Sequence, residues 1–168
     1  MQCQLSTKLT NNLSLIILSM AKQPRPFIVM NDWMDKKLDA ACVSDWVRNL
    51  LYSHWVANGY VAVTKDYRCY WMNYMDLSWP ELLHDNPDLD YEPIDVHGWL
   101  TFGEHISKVG PLIKNAYLQL EWTSEDDDVW IFGFDTNHYG DNQETQNKEY
   151  VEKETKHLAF QMLQFLNE

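Results

Sequence analysis

Residues 129–134 read Val-Trp-Ile-Phe-Gly-Phe, VWIFGF, and the fold turns on how that run is placed. Side chains alternate between the two faces of a strand, and here both faces are apolar. A strand with no polar face has to be covered on both sides, so 129–134 is expected in the middle of a sheet. Ser124–Asp128, SEDDD, is a polar turn just before it, and Ala116–Thr123, AYLQLEWT, reads as a strand. These two runs and the turn predict a β-hairpin.

Tyr60–Thr64, YVAVT, is short and β-branched and reads as a further strand. Ile94–Phe102, IDVHGWLTF, alternates: Ile94, Val96, Leu100 and Phe102 on a buried face, Asp95, His97, Trp99 and Thr101 on an exposed, chemically rich one. Residues 65–93 read as irregular, with room for a short helix near 78–84, and a connection of that length is often functional. Residues 103–115 read as a connector with at most a helical turn. Two stretches carry helical period. In 35–57, Leu38, Cys42, Trp46, Leu50 and His54 recur every four residues. Asp32 or Asp35 is placed to cap its start, and Asn58-Gly59 to end it. In 147–167, Val151, Leu158, Met162 and Phe165 share one face, interrupted by Glu154 and Thr155. The order predicts an α+β fold: a mainly antiparallel sheet with an N-terminal and a C-terminal helix packed on one face of it. Pro24 and Pro26 read as a spacer, which places a single domain at 27–168 behind an extension at 1–26.

That extension holds Leu13–Leu18, LSLIIL, too short to span a bilayer. Lys8 and Ser19-Met20-Ala21 give it a weak likeness to a signal peptide. The other readings are an upstream stretch before a natural start at Met20, and a short structured helix. The chain has 168 residues, 45% hydrophobic, with eight Trp and nine Tyr, enough for a core. Lys and Arg total 13 against 25 Asp and Glu, a formal charge of −12. That balance opposes direct binding to nucleic acid or to an anionic membrane, and leaves a basic partner, a divalent cation or plain solvation. Cys3, Cys42 and Cys69 form neither a disulfide framework nor a CxxC pair, so a reducing, cytoplasmic setting is expected.

Chemistry gathers in two pieces, Asp95-Val-His97 on a predicted strand and Asp135-Thr-Asn-His138-Tyr-Gly-Asp141 after one. If the two strands are neighbours, two imidazoles and up to three carboxylates converge. Imidazole and carboxylate suit zinc, manganese or non-haem iron. Asp95, His97, Asp135 and His138 are therefore candidate ligands for a divalent metal, with Asp141 beside them. The same residues also suit a small nucleotide-like ligand. Trp99 and Tyr139 would frame its pocket, and His97, Asp135, His138 and Asp141 would be the polar anchors. The blander assignment has Asp135 capping a turn, Asp141 solvated and His97 satisfied by a carbonyl. Acidic runs at Asp85, Asp88, Asp90 and Glu92 and at Glu125–Asp128 are either solvated or an imitation of a phosphate backbone. No nucleophile elbow, Walker motif or dinucleotide fingerprint occurs.

Taken together, NGYVAV (58–63), IDVHGWLTF (94–102), WIFGFDTNHYGD (130–141) and EYVEKETKHLAFQML (149–163) resemble a family of uncharacterised small proteins of bacteriophages and prophages. That family reads GYVxV, VDVHGGLTF and WxxGFDxxHxGD, and the likeness spans about residues 40–165. Here Trp99 stands where the family has a second Gly, Thr64 where Pro is common, and 66–77 lacks a Gly-Lys-Asp-Tyr pattern. The resemblance implies a phage accessory protein working in a bacterial cytoplasm. By analogy of class it implies a non-enzymatic protein that binds a host defence factor or sequesters a small nucleotide-like ligand. A metal-dependent hydrolase using the Asp/His residues, and an acidic mimic that inhibits a nucleic-acid-binding protein, are the two other expectations.

Overall fold

The computed structural model describes residues 23–30, 57–78 and 91–167. In chain order these form β1 (Arg25–Met30), β2 (Ala57–Thr64), α1 (Tyr74–Ser78), β3 (Phe102–His105), α2 (Pro111–Leu118), β4 (Val129–Phe134), α3 (Lys148–Met162) and a final 3-10 turn, Leu163–Phe165. The strands make one sheet of order β1-β2-β4-β3, and every neighbouring pair is antiparallel. The fold is α+β, as the element order predicts. Strand β4 is buried from end to end and lies between β2 and β3, as its two apolar faces require.

The two faces hold separate cores. On one, Val61, Val63, Phe132 and Phe134 pack with Val151, Leu158 and Met162 of α3 and with Phe165. On the other, Tyr60, Ala62, Val129 and Ile131 pack with Phe27 and with Tyr117 of α2. The C-terminal helix thus buries the face its periodicity marks, and Asn147 caps it by accepting from the Tyr150 N–H at 3.0 Å. Thr155, which interrupts that apolar face, is accommodated by a glycine. Its hydroxyl donates to the Val151 carbonyl, and a Cβ on Gly59 would lie 2.3 Å from its Oγ1.

Several local expectations are corrected. Ala116–Thr123 is not a strand, and β4 has no hairpin partner there. Gly110 and Pro111 start α2 at 111, with Pro in its favoured first-turn place. Ile113, Ala116 and Tyr117 then fall on one helical face toward the second core. Asn58-Gly59 lies inside β2 rather than ending a helix. The helix expected at 35–57 falls outside the described residues, apart from Ala57 in β2. The region of the expected short helix beyond Ser78 also falls outside them. Pro26 is no spacer. It pairs with Val61 in β1, at an edge of the described sheet, where a missing N–H is tolerated. The sheet therefore begins at Arg25, two residues before the expected boundary.

Arg25 is fixed by chemistry unusual for a strand end. Its side chain is 6% exposed, donates to Asp127 Oδ2 at 2.5 Å, and also donates to the Tyr117 hydroxyl, which in turn donates to Asp127 at 2.9 Å. Burial alone would raise the Asp127 pKa, but the hydrogen bonds from Tyr117, the Ser124 N–H and Arg25 hold it below the usual value. Removing one partner of a buried pair leaves the other charge uncompensated. Asp127→Ala is therefore expected to cost about 2–3 kcal/mol in urea unfolding, against a few tenths for Lys148→Ala in its exposed i,i+4 pair with Glu152. Equal small losses would show that the pair does not hold β1 to α2.

Among the described residues no helix is long and apolar enough to cross a membrane.

Candidate functional site

Residues 94–101 are not a strand; only 102–105 join the sheet. The chain runs without regular structure as far as Val96 and then turns, closed by the Trp99 N–H to the Val96 carbonyl at 3.0 Å. Gly98 and Trp99 both have positive φ, 63° and 72°. The turn interrupts the strand but leaves the alternation in place as far as Thr101. Ile94, Val96 and Leu100 enter the α3-side core, while Phe102 joins the opposite one. His97 accordingly sits at the head of a turn, not on a stiff strand. Two glutamines of the C-terminal segment clip the approach to this turn. Gln161 exchanges hydrogen bonds with both backbone groups of Asp95, and Gln164 does the same for Glu92.

The second piece follows β4 directly. Asp135 Oδ1 accepts from the Asn137 N–H at 3.0 Å, and the Asp141 N–H closes a turn on the His138 carbonyl at 3.0 Å. Asp141 is buried, 8% exposed, and its Oδ2 accepts from the His138 N–H at 2.8 Å. The same oxygen is 2.9 Å from His97 Nε2. His97 Nδ1 is 3.0 Å from the Tyr150 hydroxyl of α3. With His97 neutral, Nε2–H donates to Asp141 and the Tyr150 O–H donates to Nδ1. The backbone N–H of His97 reaches Glu154 Oε2 at 3.3 Å, one helical turn beyond Tyr150. Burial would raise the Asp141 pKa, but hydrogen bonds from His97 and His138 outweigh it and hold it low. Burial, followed by the charges of Glu154 and Asp141, raises that of Tyr150.

The loop and the turn meet at Gly98. The His97 and His138 rings are 5.3 Å apart, centroid to centroid. A Cβ on residue 98 would lie 1.8 Å from His138 Nε2. That nitrogen is buried and has no hydrogen-bond partner; Asp135 Oδ1, at 3.7 Å, is too distant to supply one. One donor atom each from His97, His138 and Asp141 lies within 4.8 Å of the others. Two bonds of about 2.1 Å at a tetrahedral ion put donors about 3.4 Å apart. From 4.8 Å the widest gap has to close by more than about 1 Å, which takes a rotation of the His138 imidazole on its loop, where Gly140 has φ 98°.

Of the expected site residues, His97, His138 and Asp141 come together and Asp135 stands at their edge. Asp95 does not join them as a metal ligand, because its backbone is clipped to Gln161 and its side chain is outside the cluster. Asp135 is likewise outside the donor set, engaged by Asn137. Tyr139 frames no pocket; it projects fully into solvent. Trp99 is outside the donor set and lines a groove of about 190 Å³ with Tyr74, Met75, Gly98 and Thr101. On the other side of Thr101 a groove of about 210 Å³ is lined by Asn58, Tyr60, Phe134 and Asp135. The sequence reading missed Tyr150 and Glu154. Their i,i+4 spacing on a predicted helix was the available signal, but nothing local tied that face to His97.

Elsewhere, the thiol of Cys69 is fully buried, and burial pushes its pKa up to about 12, which leaves it inert as a nucleophile. Of the acidic run 125–128, Asp127 is bound to Arg25, and Asp128 to Lys65, Tyr70 and His105. Of the other run, Asp85, Asp88 and Asp90 fall outside the described residues. No protein-family model, curated protein or solved structure matches the chain.

Proposed function

We propose that this protein binds one divalent transition ion, zinc by ligand chemistry, through His97, His138 and Asp141, and uses it to hydrolyse a small substrate. The observation that supports the reading most is the buried, partnerless His138 nitrogen beside a second imidazole and a buried carboxylate. Two imidazoles and one carboxylate leave a tetrahedral ion one open position, where bound water becomes acidic enough to act near neutral pH. To ligate through Nε2, His97 takes the other neutral tautomer, its single proton moving from Nε2 to Nδ1, and Nδ1–H donates to the Tyr150 oxygen, fixing the ring from behind. Asp135, 3.7 Å from His138, is the carboxylate placed to take the proton from water. The flanking grooves, about 190 and 210 Å³, are below the roughly 300 Å³ typical of drug-sized sites. A small substrate with a flat or apolar part fits them. Their linings contain no Lys or Arg to attract phosphate. The motif resemblance to phage proteins supports a bacterial cytoplasm as the place of action.

A second reading keeps the ion and grooves but drops catalysis: a small ligand is held, not cleaved. Isothermal titration of stripped protein with zinc, followed by assay on p-nitrophenyl acetate, separates the two. One equivalent of zinc and metal-dependent ester cleavage, both lost in His138→Ala, are expected. Binding without cleavage favours sequestration, and no binding removes the metal from both readings.

A further inference from the structure

Among the described residues, only two non-glycine residues have positive φ, and both are exposed tryptophans: Trp71 at 76° and Trp99 at 72°. Left-handed backbone costs an L-residue about 1–2 kcal/mol, and a bulky side chain there is an outlier. Neither ring is repaid by deep burial, since Trp71 is 60% and Trp99 42% exposed. Strain of this kind persists where surrounding structure imposes it, and it concentrates at functional surfaces. Here both rings border α1. Trp71 lies three residues before it, stacked on His105 of β3 at 5.4 Å and 5°. His105 is itself held by Ser107 and Asp128, so one face of the Trp71 indole is pinned. Trp99 shares its groove with Met75 of α1, which is 41% exposed. Tyr74 of α1 packs over Gly103 of β3, so helix and strand form one surface along the outer edge of the described sheet.

We infer that this Trp71–Met75–Trp99 surface docks a basic protein segment, with arginine side chains stacking on the two indoles and an apolar side chain entering the groove by Met75. Charge selects the occupant. The chain carries −12, Asp76 next to Met75 on α1 is exposed, and the groove lining contains no cation. Tryptophan is among the residues that dominate interface energies, and a guanidinium over its face is favourable even when partly solvated. Methionine adapts its shape to what enters. The inference needs no metal, because none of its three anchor residues is a proposed ligand, but it gives the groove of about 190 Å³ a protein side chain where the metal reading gives it a substrate.

Indole N–H resonances of the full chain, assigned with Trp71→Phe and Trp99→Phe, test it directly. The probes are the capped peptide Arg-Leu-Arg-Leu-Arg-Leu and its Glu-Leu counterpart, added to about 2 mM, a range that detects weak association. The basic peptide is expected to shift the Trp71 and Trp99 signals, and the acidic one to leave them in place. Trp71→Ala and Trp99→Ala together should weaken the titration by about tenfold or more while circular dichroism is unchanged. Equal response to both peptides, shifts that spare these two indoles, or no shift at all would overturn the inference. Should the double variant unfold, the Phe variants serve. Each replaces an indole by a weaker cation–π partner and is expected to reduce affinity about threefold or more.

Discussion

Gly98→Ala is expected to abolish zinc binding, with an affinity loss of about a hundredfold or more, while the domain still folds. The argument rests on two features of one residue. Its φ of 63° lies in the left-handed region, where alanine costs roughly 1 kcal/mol more than glycine. The methyl group would also sit 1.8 Å from His138 Nε2 and 2.3 Å from His138 Cδ2, well inside any tolerable contact. The imidazole has to leave, and with it one of three donors. Residue 98 is exposed and lies outside both cores, so the stability loss stays near the backbone term. In a chain of this size that lowers Tm by about 2–4 °C. Calorimetry and zinc titration on the same sample separate the effects. Retained zinc affinity would mean that His138 is not a ligand.

The largest loss of stability is expected from Phe132→Ala, about 3–5 kcal/mol. Phe132 is completely buried on β4, paired with Val61 on one side and Gly103 on the other. Its neighbours are held by strands on both flanks and cannot collapse into the space left. A shift of that size lowers Tm by about 6–20 °C, or shows as an equal loss in urea unfolding with an unchanged slope. A loss below about 1 kcal/mol would contradict the central placement of β4.

The central strand was legible because an apolar run on both faces admits few positions in an α+β fold. The C-terminal helix was legible because Val151, Leu158 and Met162 repeat on one face. The stretch 111–118 was misread because its helical face spans the boundary drawn at residue 115. The remaining half, AYL, alternates well enough to pass for strand. Residues 94–102 kept their predicted inside–outside pattern as far as Thr101, apart from the exposed Gly98, although they form a turn and not a strand. Two consecutive positive φ values make the turn, for tryptophan no sequence rule foretells that, and beyond it Phe102 joins the opposite core. In the site, the two histidines and Asp141 were readable as chemistry-bearing residues on adjoining segments. Their union depends on a turn at 97–98 and on the missing Cβ of Gly98, and Tyr150 joins only because two glutamines of the C-terminal segment clip residues 92–95. These contacts link residues 44 to 72 positions apart, beyond the reach of local pattern.

The most direct test of the metal centre is native mass spectrometry of the full chain after zinc loading and desalting, compared with the denatured mass. One ion per chain, lost on denaturation and absent from His138→Ala of unchanged circular dichroism, is the predicted result. A wild-type chain that carries no ion, or a His138→Ala chain that still carries one, would contradict the account.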